Sequence, residues 1–183
     1  MSIKTKEIVL SKHIWVGDAK APIKLVEFGD YQSDACGHAH DVVKQLLVKY
    51  PKHVKFNFRH FPLSRINQFA MKAAEAAVSA AQEGKFWEMH DILFANRRSL
   101  GTISLKNYAR QAGITDKHFL DNLVNSTFSW QVRDDLLEGL KLGVREVPTF
   151  FINGNLFTGH STLDNLSRVI DQTISLNNFS LDM

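Results

Sequence analysis

The succession of strand and helix patterns is the feature of this sequence that most constrains its fold. Ile23–Phe28 is mostly apolar and predicts a buried strand. Cys36–Tyr50 repeats apolar residues at helical spacing, and Val54–Phe61 alternates apolar and polar residues as a strand does. Residues 63–142 then show helical patterns alone. This order predicts an α/β core interrupted by a helical insertion.

The last part of the chain returns to strand patterns. Thr149–Ile152 and Leu156–Thr158 flank Asn153-Gly154, a dipeptide typical of two-residue hairpin turns. Ser161-Thr-Leu-Asp164 is similar to a capping box and predicts the start of a final helix. We therefore expect a β-hairpin and a closing helix to complete the core.

The helical block divides into several segments with apolar stripes. Their expected positions are Ile66–Ala80, Phe86–Leu93, Ser104–Ala112, Asp116–Val124 and Ser129–Leu142. A chain of 183 residues is long enough for one substantial core and short for two full domains. We therefore expect one domain over residues 1–183, with the helical insertion at approximately 63–142.

Composition and charge argue against some classes of partner. The net charge is only +3 and the basic residues are spread along the chain, which favours a solvated surface over a nucleic-acid site. Met1–Lys20 lacks the apolar run of a signal peptide, and no later stretch has the length of a membrane-spanning helix. We expect no membrane partner and a cytoplasmic location for the sequence as written, whereas a chain whose leader had been removed would be periplasmic. The sequence gives no indication of oligomeric state.

Three segments resemble the bacterial DsbA-like thiol-disulfide oxidoreductases. Leu25-Val-Glu-Phe-Gly-Asp-Tyr-Gln-Ser-Asp-Ala-Cys-Gly-His-Ala-His40 is similar to the stretch in which a C-P-x-C site opens a helix. Phe58-Arg-His-Phe-Pro-Leu63 resembles a strand-end motif of that family, and Gly143-Val-Arg-Glu-Val-Pro-Thr-Phe-Phe-Ile-Asn-Gly154 resembles its cis-proline loop and hairpin. The resemblance covers nearly the whole chain. It implies a three-layer α/β/α thioredoxin fold, built from a βαβ and a ββα unit, with an inserted α-helical subdomain.

The resemblance also implies where a substrate would bind. In this family the cis-proline loop faces the active-site cysteines, and the residue before the proline pairs with bound peptide. Val147 and Pro148 would then form one wall of a substrate groove. The alternative interpretation of Pro148 is an ordinary proline at the entry to a strand.

In the register of this resemblance the active-site motif has lost its first cysteine. Cys36, the only cysteine, takes the place of the second one, Ser33 takes the place of the attacking one, and Asp34 replaces the usual proline. A hydroxyl is a far weaker acid than a thiol and forms no redox disulfide, so we expect no two-cysteine cycle. Ser33 is alternatively a helix cap, and Cys36 is either a quiet buried thiol or a single cysteine that takes up glutathione.

Glu27 is the third candidate catalytic residue, beside Ser33 and Cys36. It matches the family's buried acid, which accepts a proton near the second cysteine. Its neighbours Val26 and Phe28 are apolar and predict burial, which would raise its pKa. An exposed glutamate at a sheet edge is the alternative.

Cys36, His38 and His40 are residue types that bind metal ions. On a helix, positions 36 and 40 share a face while position 38 points away, so at most two of these side chains could hold one ion. We predict no metal site and no cofactor, with glutathione as a candidate co-substrate.

Two functional hypotheses follow from these features. The first is a DsbA-like protein that acts on peptide or protein thiols and disulfides, or on glutathione, through Cys36. Ser33 would support a glutathione thiolate, as a serine does in the kappa-type glutathione transferases. The second is a non-catalytic peptide-binding or chaperone-like module that uses the groove at Val147 and Pro148.

Overall fold

The computed structural model describes residues 8–181 and contains one five-stranded sheet. The strands are β1 (Val16–Gly17), β2 (Ile23–Gly29), β3 (Val54–His60), β4 (Thr149–Ile152) and β5 (Asn155–Leu156), in the spatial order β1-β3-β2-β4-β5. β2 runs parallel to β3 and antiparallel to β4, so β2 is the central strand. A central strand is bonded on both sides, which fixes the position of the loop that follows it.

Seven α-helices accompany this sheet in the described part of the chain. They are α1 (Asp34–Lys49), α2 (Ala70–Ala81), α3 (Phe86–Ala95), α4 (Thr102–Gln111), α5 (Phe119–Val124), α6 (Ser129–Lys141) and α7 (Leu163–Leu181). α1 connects β2 to β3 and α7 follows the hairpin, while α2 to α6 form the insertion between β3 and β4. The predicted thioredoxin fold with a helical insertion is confirmed.

The two faces of the sheet are covered by different helices. Leu25 of β2 packs in the main core with Leu46 of α1 and Leu166 of α7. Phe28 points to the opposite face and packs with Phe61. On that face α6 approaches closely at Gly139, because a Cβ there would lie 2.8 Å from the Phe61 ring. Alternation of side chains along β2 therefore produces the three layers.

The expected helix over Ile66–Ala80 begins too early, since α2 starts at Ala70. Ile66 lies in a turn and is 76% exposed. The backbone N–H of Phe69 donates to Gln32 Oε1 at 2.9 Å, and Asn67 Nδ2 donates to Asp30 Oδ2 at 2.8 Å. These bonds to the β2–α1 loop fix the segment before α2 in a non-helical form.

The hairpin and the final cap also differ from expectation by one residue or more. Asn153 and Gly154 have φ values of 49° and 84°, which match a tight two-residue turn. This turn sets Asn155 directly opposite Ile152, so the second strand starts before Leu156 and does not continue to Thr158. Asn165 N–H donates to Thr162 Oγ1 at 3.3 Å, so Thr162 rather than Ser161 caps α7.

Candidate functional site

Ser33 caps α1 at the end of the loop that leaves β2. Its Oγ accepts a hydrogen bond from the backbone N–H of Cys36 at 3.3 Å, and its own N–H donates to the Asp30 carbonyl at 3.1 Å. The first turn of a helix has unpaired N–H groups, and a serine oxygen satisfies one of them. Ser33 therefore has the geometry of a helix cap, which is the alternative interpretation of this residue.

Cys36 lies in the first turn of α1 and is fully buried, with 0% of its surface exposed. Its Sγ accepts a hydrogen bond from the backbone N–H of Asp30 at 3.4 Å. Burial raises the pKa of the Cys36 thiol well above its ordinary value, and the nearby Glu27 carboxyl raises it further. Because the thiolate is the reactive form, an environment that keeps Cys36 protonated makes its thiol unreactive.

Glu27 lies on β2 and is buried, as its apolar neighbours predict. Burial raises its pKa to about 8, so the carboxyl is mostly protonated at neutral pH. Neither carboxyl oxygen has a hydrogen-bond partner within residues 8–181. Glu27 raises the pKa of the Cys36 thiol, whereas burial alone raises the pKa of Glu27 itself.

The loop from Gly143 to Pro148 ends at the same edge of the sheet. The Val147–Pro148 peptide bond is cis, and Thr149 pairs with Phe28 across β4 and β2. Pro148 therefore lies beside the end of β2 from which the loop to Ser33 departs. The structure brings Ser33 and Cys36 together, and it sets Glu27 on the strand that leads to them and the proline turn beside the end of that strand.

Val147 lies between two packed regions. Its side chain is half-buried against the core cluster that contains Cys36 and against the cluster that contains Phe28. Neither its N–H nor its C=O is bonded to any residue that the structure describes. Thr149 Oγ1 donates to the Glu146 carbonyl at 2.7 Å and so closes the loop around this residue.

Asp30 organises the loop but was not identified from the sequence. Its Oδ1 accepts from the N–H of Gln32 at 2.7 Å, and its Oδ2 accepts from the N–H of Leu63 at 2.9 Å and from Asn67 Nδ2 at 2.8 Å. The carboxylate is buried and ties the β2–α1 loop to the segment after β3. The sequence signal that could have identified Asp30 is an aspartate that directly follows a strand and precedes a turn.

Arg97, which follows α3, also reaches the site. Its Nε donates to Asp34 Oδ1 at 2.6 Å, and this hydrogen bond lowers the pKa of Asp34. A Cβ on Gly37 would lie 3.1 Å from Arg97 Cδ, so the guanidinium group covers the first turn of α1. No local sequence pattern connects residue 97 with residue 34, and the contact was not predictable.

The candidate metal ligands of α1 point to different surroundings. His38 is exposed, Cys36 is enclosed, and His40 Nε2 lies 3.1 Å from Asp91 Oδ1. Within residues 8–181 no group of three or more His, Cys, Asp or Glu side chains is arranged to hold a metal ion. Within the same residues no helix is both long and apolar enough to cross a bilayer.

Comparison with protein families gives a match over most of the chain. The family model described as Thioredoxin matches residues 10–172. The chain is 34% identical over 154 residues to a protein of Salinispora tropica named Na(+)/H(+) antiporter NhaA 3, and 34% identical over 157 residues to Na(+)/H(+) antiporter NhaA 1 of Mycobacterium sp. strain KMS. The matched segments are 84% and 85% of this chain but only 24% and 26% of those proteins. The chain therefore spans about a quarter of the length of these relatives.

Several solved structures share this fold, and one of them is a thiol-disulfide exchange protein. Oxidised BdbD from Bacillus subtilis superposes with a TM-score of 0.79 at 24% identity, covering 86% of this chain and 90% of that one. Alpha-DsbA2 from Wolbachia pipientis gives a TM-score of 0.73 at 22% identity, covering 87% and 86%. The catalytic domain of Proteus mirabilis ScsC gives 0.74 at 20% identity, covering 88% of each chain. At these identities the likeness establishes the fold, helical insertion included.

Proposed function

The chain belongs to the thioredoxin family, and from that premise we propose that it is a DsbA-like binding domain that holds an extended polypeptide against the backbone of Val147. The observation that carries the proposal is that the N–H and C=O of Val147, beside the end of β2, have no partner among residues 8–181. An extended peptide that adds to a sheet edge gains its affinity from such main-chain hydrogen bonds. A peptide N–H and C=O placed opposite Val147 would satisfy both groups.

The environment of Cys36 supports binding rather than thiol exchange. The sulfur is enclosed, its pKa is raised by burial, and it already accepts a hydrogen bond from Asp30. With one cysteine in the whole chain, an internal disulfide has no second sulfur. Ser33 completes the cap of α1 with its oxygen. The two positions that the resemblance assigns to the redox pair therefore have structural roles that do not require electron transfer.

Peptide binding is tested with a panel of fluorescein-labelled unstructured peptides, measured by anisotropy. We expect saturable binding, and loss of at least about tenfold in affinity when alternate amides of the best peptide are N-methylated, since each main-chain hydrogen bond contributes about 1 kcal/mol. On the protein side, Val147→Pro removes the N–H donor and should weaken binding. Val147→Ala is the matched control, because it shortens the side chain and keeps the N–H.

Two results would contradict the proposal. One is the absence of binding across the panel, and the other is binding that neither N-methylation of the peptide nor Val147→Pro changes. N-methylation is the more robust arm, since it leaves the folded protein unaltered.

Glutathione binding at Ser33 is the second candidate function. The Ser33 side chain is half-buried at the start of α1, and its hydroxyl hydrogen has no acceptor within the described residues. A helix N-terminus favours an anion, and a hydroxyl that donates to a thiolate stabilises it. Calorimetric titration with reduced glutathione should then show binding that Ser33→Ala abolishes and Ser33→Thr retains. A mass increase of Cys36 after treatment of the native protein with oxidised glutathione would favour thiol chemistry instead.

The names of the curated relatives point to a setting for such a domain. In those proteins a segment similar to this chain accompanies an Na(+)/H(+) antiporter, and three quarters of their length lies outside the matched segment. We propose that the polypeptide bound by this chain belongs to a membrane-transport system. A pull-down with an antiporter of the same cell, compared between the native protein and Val147→Pro, tests this extension.

A further inference from the structure

A cavity of about 250 Å³ lies between α1, α3 and the strands β1 and β3, away from the Val147 site. Its apolar lining comes from both the core and the insertion: Val16, Val43, Leu47, Val48, Phe56 and Trp87. A cavity of about 150 Å³ is known to be enough for one benzene ring, whereas drug-sized ligands occupy roughly 300 Å³ or more. The space therefore suits a single ring with small substituents.

The aromatic part of the lining favours a planar ring over an aliphatic chain. The rings of Phe56 and Trp87 have centroids 5.8 Å apart and planes tilted by 44°, and both line the cavity. A third ring beside them can make edge and face contacts with both.

The polar side chains of the cavity lie together at one end. His40, Lys44, His90 and Asp91 are the lining residues concerned. Asp91 Oδ1 lies 3.1 Å from His40 Nε2, and its Oδ2 lies 3.7 Å from Lys44 Nζ. The charges of the Asp91 carboxylate and the Lys44 ammonium group offset each other. Burial lowers the pKa of both His40 and His90, which leaves the two imidazoles neutral at pH 7. An uncharged ligand group matches this end.

His90 supplies an unused hydrogen-bonding atom. The side chain is 2% exposed, and its Nδ1 lies 3.0 Å from Tyr31 Oη. Its Nε2 has no partner within residues 8–181. If Nδ1 accepts from Tyr31, Nε2 carries the proton and donates, and in the other tautomer Nε2 accepts. A hydroxyl group fits either case, because it both donates and accepts.

We propose that this cavity is a binding site for a neutral single-ring phenol, with the ring against Trp87 and Phe56 and the hydroxyl at His90. The phenol enters beside Val48, which lines the cavity and is 81% exposed. The cavity is separate from the proposed peptide-binding backbone of Val147, so either proposal can fail without the other.

The test is a titration of the full ¹⁵N-labelled chain with p-cresol, followed by NMR. We expect the indole N–H signal of Trp87 to shift and that of Trp130, which lies on α6, to stay in place. p-Cresol should bind about tenfold more tightly than toluene, the factor expected for one added hydrogen bond. p-Toluate should bind at least about tenfold more weakly than p-cresol, since its carboxylate would lie beside that of Asp91, which already pairs with the Lys44 ammonium group.

Val48→Trp blocks the entrance without altering the buried core, and Val124→Trp is the matched control on α5. Both valines are exposed in the native protein. We expect p-cresol binding to be lost in the first variant and unchanged in the second. Absence of a Trp87 shift up to about 10 mM p-cresol, equal affinity for toluene, or unchanged binding to Val48→Trp would each overturn the proposal.

Discussion

Arg97 Nε donates to Asp34 Oδ1 at 2.6 Å and so joins the end of α3 to the first turn of α1. The resemblance sets Asp34 at the position of the family's usual proline, which has no side chain that could accept this bond. In the register of that resemblance, Asp34 adds a contact between the insertion and the site. Because Asp34 is exposed, we expect the ion pair to contribute little to stability and to act mainly on the position of Arg97.

Gly37→Ala tests the position of Arg97 over α1. Alanine is favoured over glycine inside a helix by about 1 kcal/mol, but the new Cβ would lie 3.1 Å from Arg97 Cδ and force the side chain to move. We expect the gain in unfolding free energy to be smaller in the native background than in Arg97→Ala. The measurement is urea denaturation of the double-mutant cycle. Arg98→Ala serves as the control background, in which the gain should equal that of the native protein.

The cap at Ser33 predicts a defined loss of stability. Ser33→Ala removes the acceptor of the Cys36 N–H and should reduce the unfolding free energy by about 1 kcal/mol, whereas Ser33→Asp should retain most of it. Chemical denaturation of the three proteins measures this order. An alanine variant as stable as the native protein would show that the 3.3 Å bond contributes nothing.

Ser33→Cys tests the register of the site against the redox family. We expect the new thiol to pair with Cys36, so that oxidised glutathione takes two electrons from the two thiols, forms an internal disulfide and is released as two molecules of reduced glutathione. The free-thiol count should fall from two to zero without a bound glutathione. Ser64→Cys, at a serine that is exposed, is the control and should keep Cys36 reduced. Two persistent thiols in Ser33→Cys would mean that residue 33 does not face Cys36.

Much of the fold was predictable because it depends on local patterns. The apolar run of β2, the alternation in β3 and the Asn153-Gly154 turn each carry their own signal, and the structure confirms these elements. The burial of Glu27 was likewise visible in its neighbours. Ile66–Phe69 was wrongly assigned to a helix because its apolar residues have helical spacing. In the structure, side chains of the distant β2–α1 loop hold this segment in a turn.

The rest of the site depends on contacts between segments that are far apart in sequence. Arg97 reaches Asp34 across 63 residues, and Asp30 binds Asn67 across 37. Neither pair has a spacing or a composition that would connect its members before the fold is known. The cavity beside Trp87 has the same origin, since its lining comes from β1, α1, β3 and α3.

Asp30 should be one of the most sensitive side chains of the site. Asp30→Ala leaves the N–H groups of Gln32 and Leu63 and the amide of Asn67 without their acceptor, and we expect a loss of about 3 kcal/mol in unfolding free energy. Asp41→Ala, at an exposed aspartate of α1, is the control and should change stability by less than about 0.5 kcal/mol. Denaturation measures both, and hydrogen exchange of the Leu63 amide should accelerate only in Asp30→Ala.

Glu27 predicts a fall in stability as the pH rises from 6.5 to 8. Burial raises its pKa from 4.5 to about 8, so over this range the folded protein holds a proton that the unfolded chain has released. Stability decreases with pH wherever the folded state binds more protons, with a slope of at most about 1.4 kcal/mol per pH unit for one group. The buried imidazole of His60 affects stability at pH values below this range. Burial lowers its pKa from 6.5 to about 4, so its contribution is lost only as the pH falls below 6.5.

Glu27→Gln isolates this contribution, because glutamine has nearly the same shape and does not titrate. We expect the fall in unfolding free energy between pH 6.5 and 8 to be smaller in Glu27→Gln than in the native protein. Glu146→Gln, at an exposed glutamate, should reproduce the native slope. The measurement is urea denaturation at half-unit pH intervals. Identical slopes in Glu27→Gln and the native protein would mean that the Glu27 carboxyl is ionised in the fold and finds a partner, such as water, within its apolar surroundings.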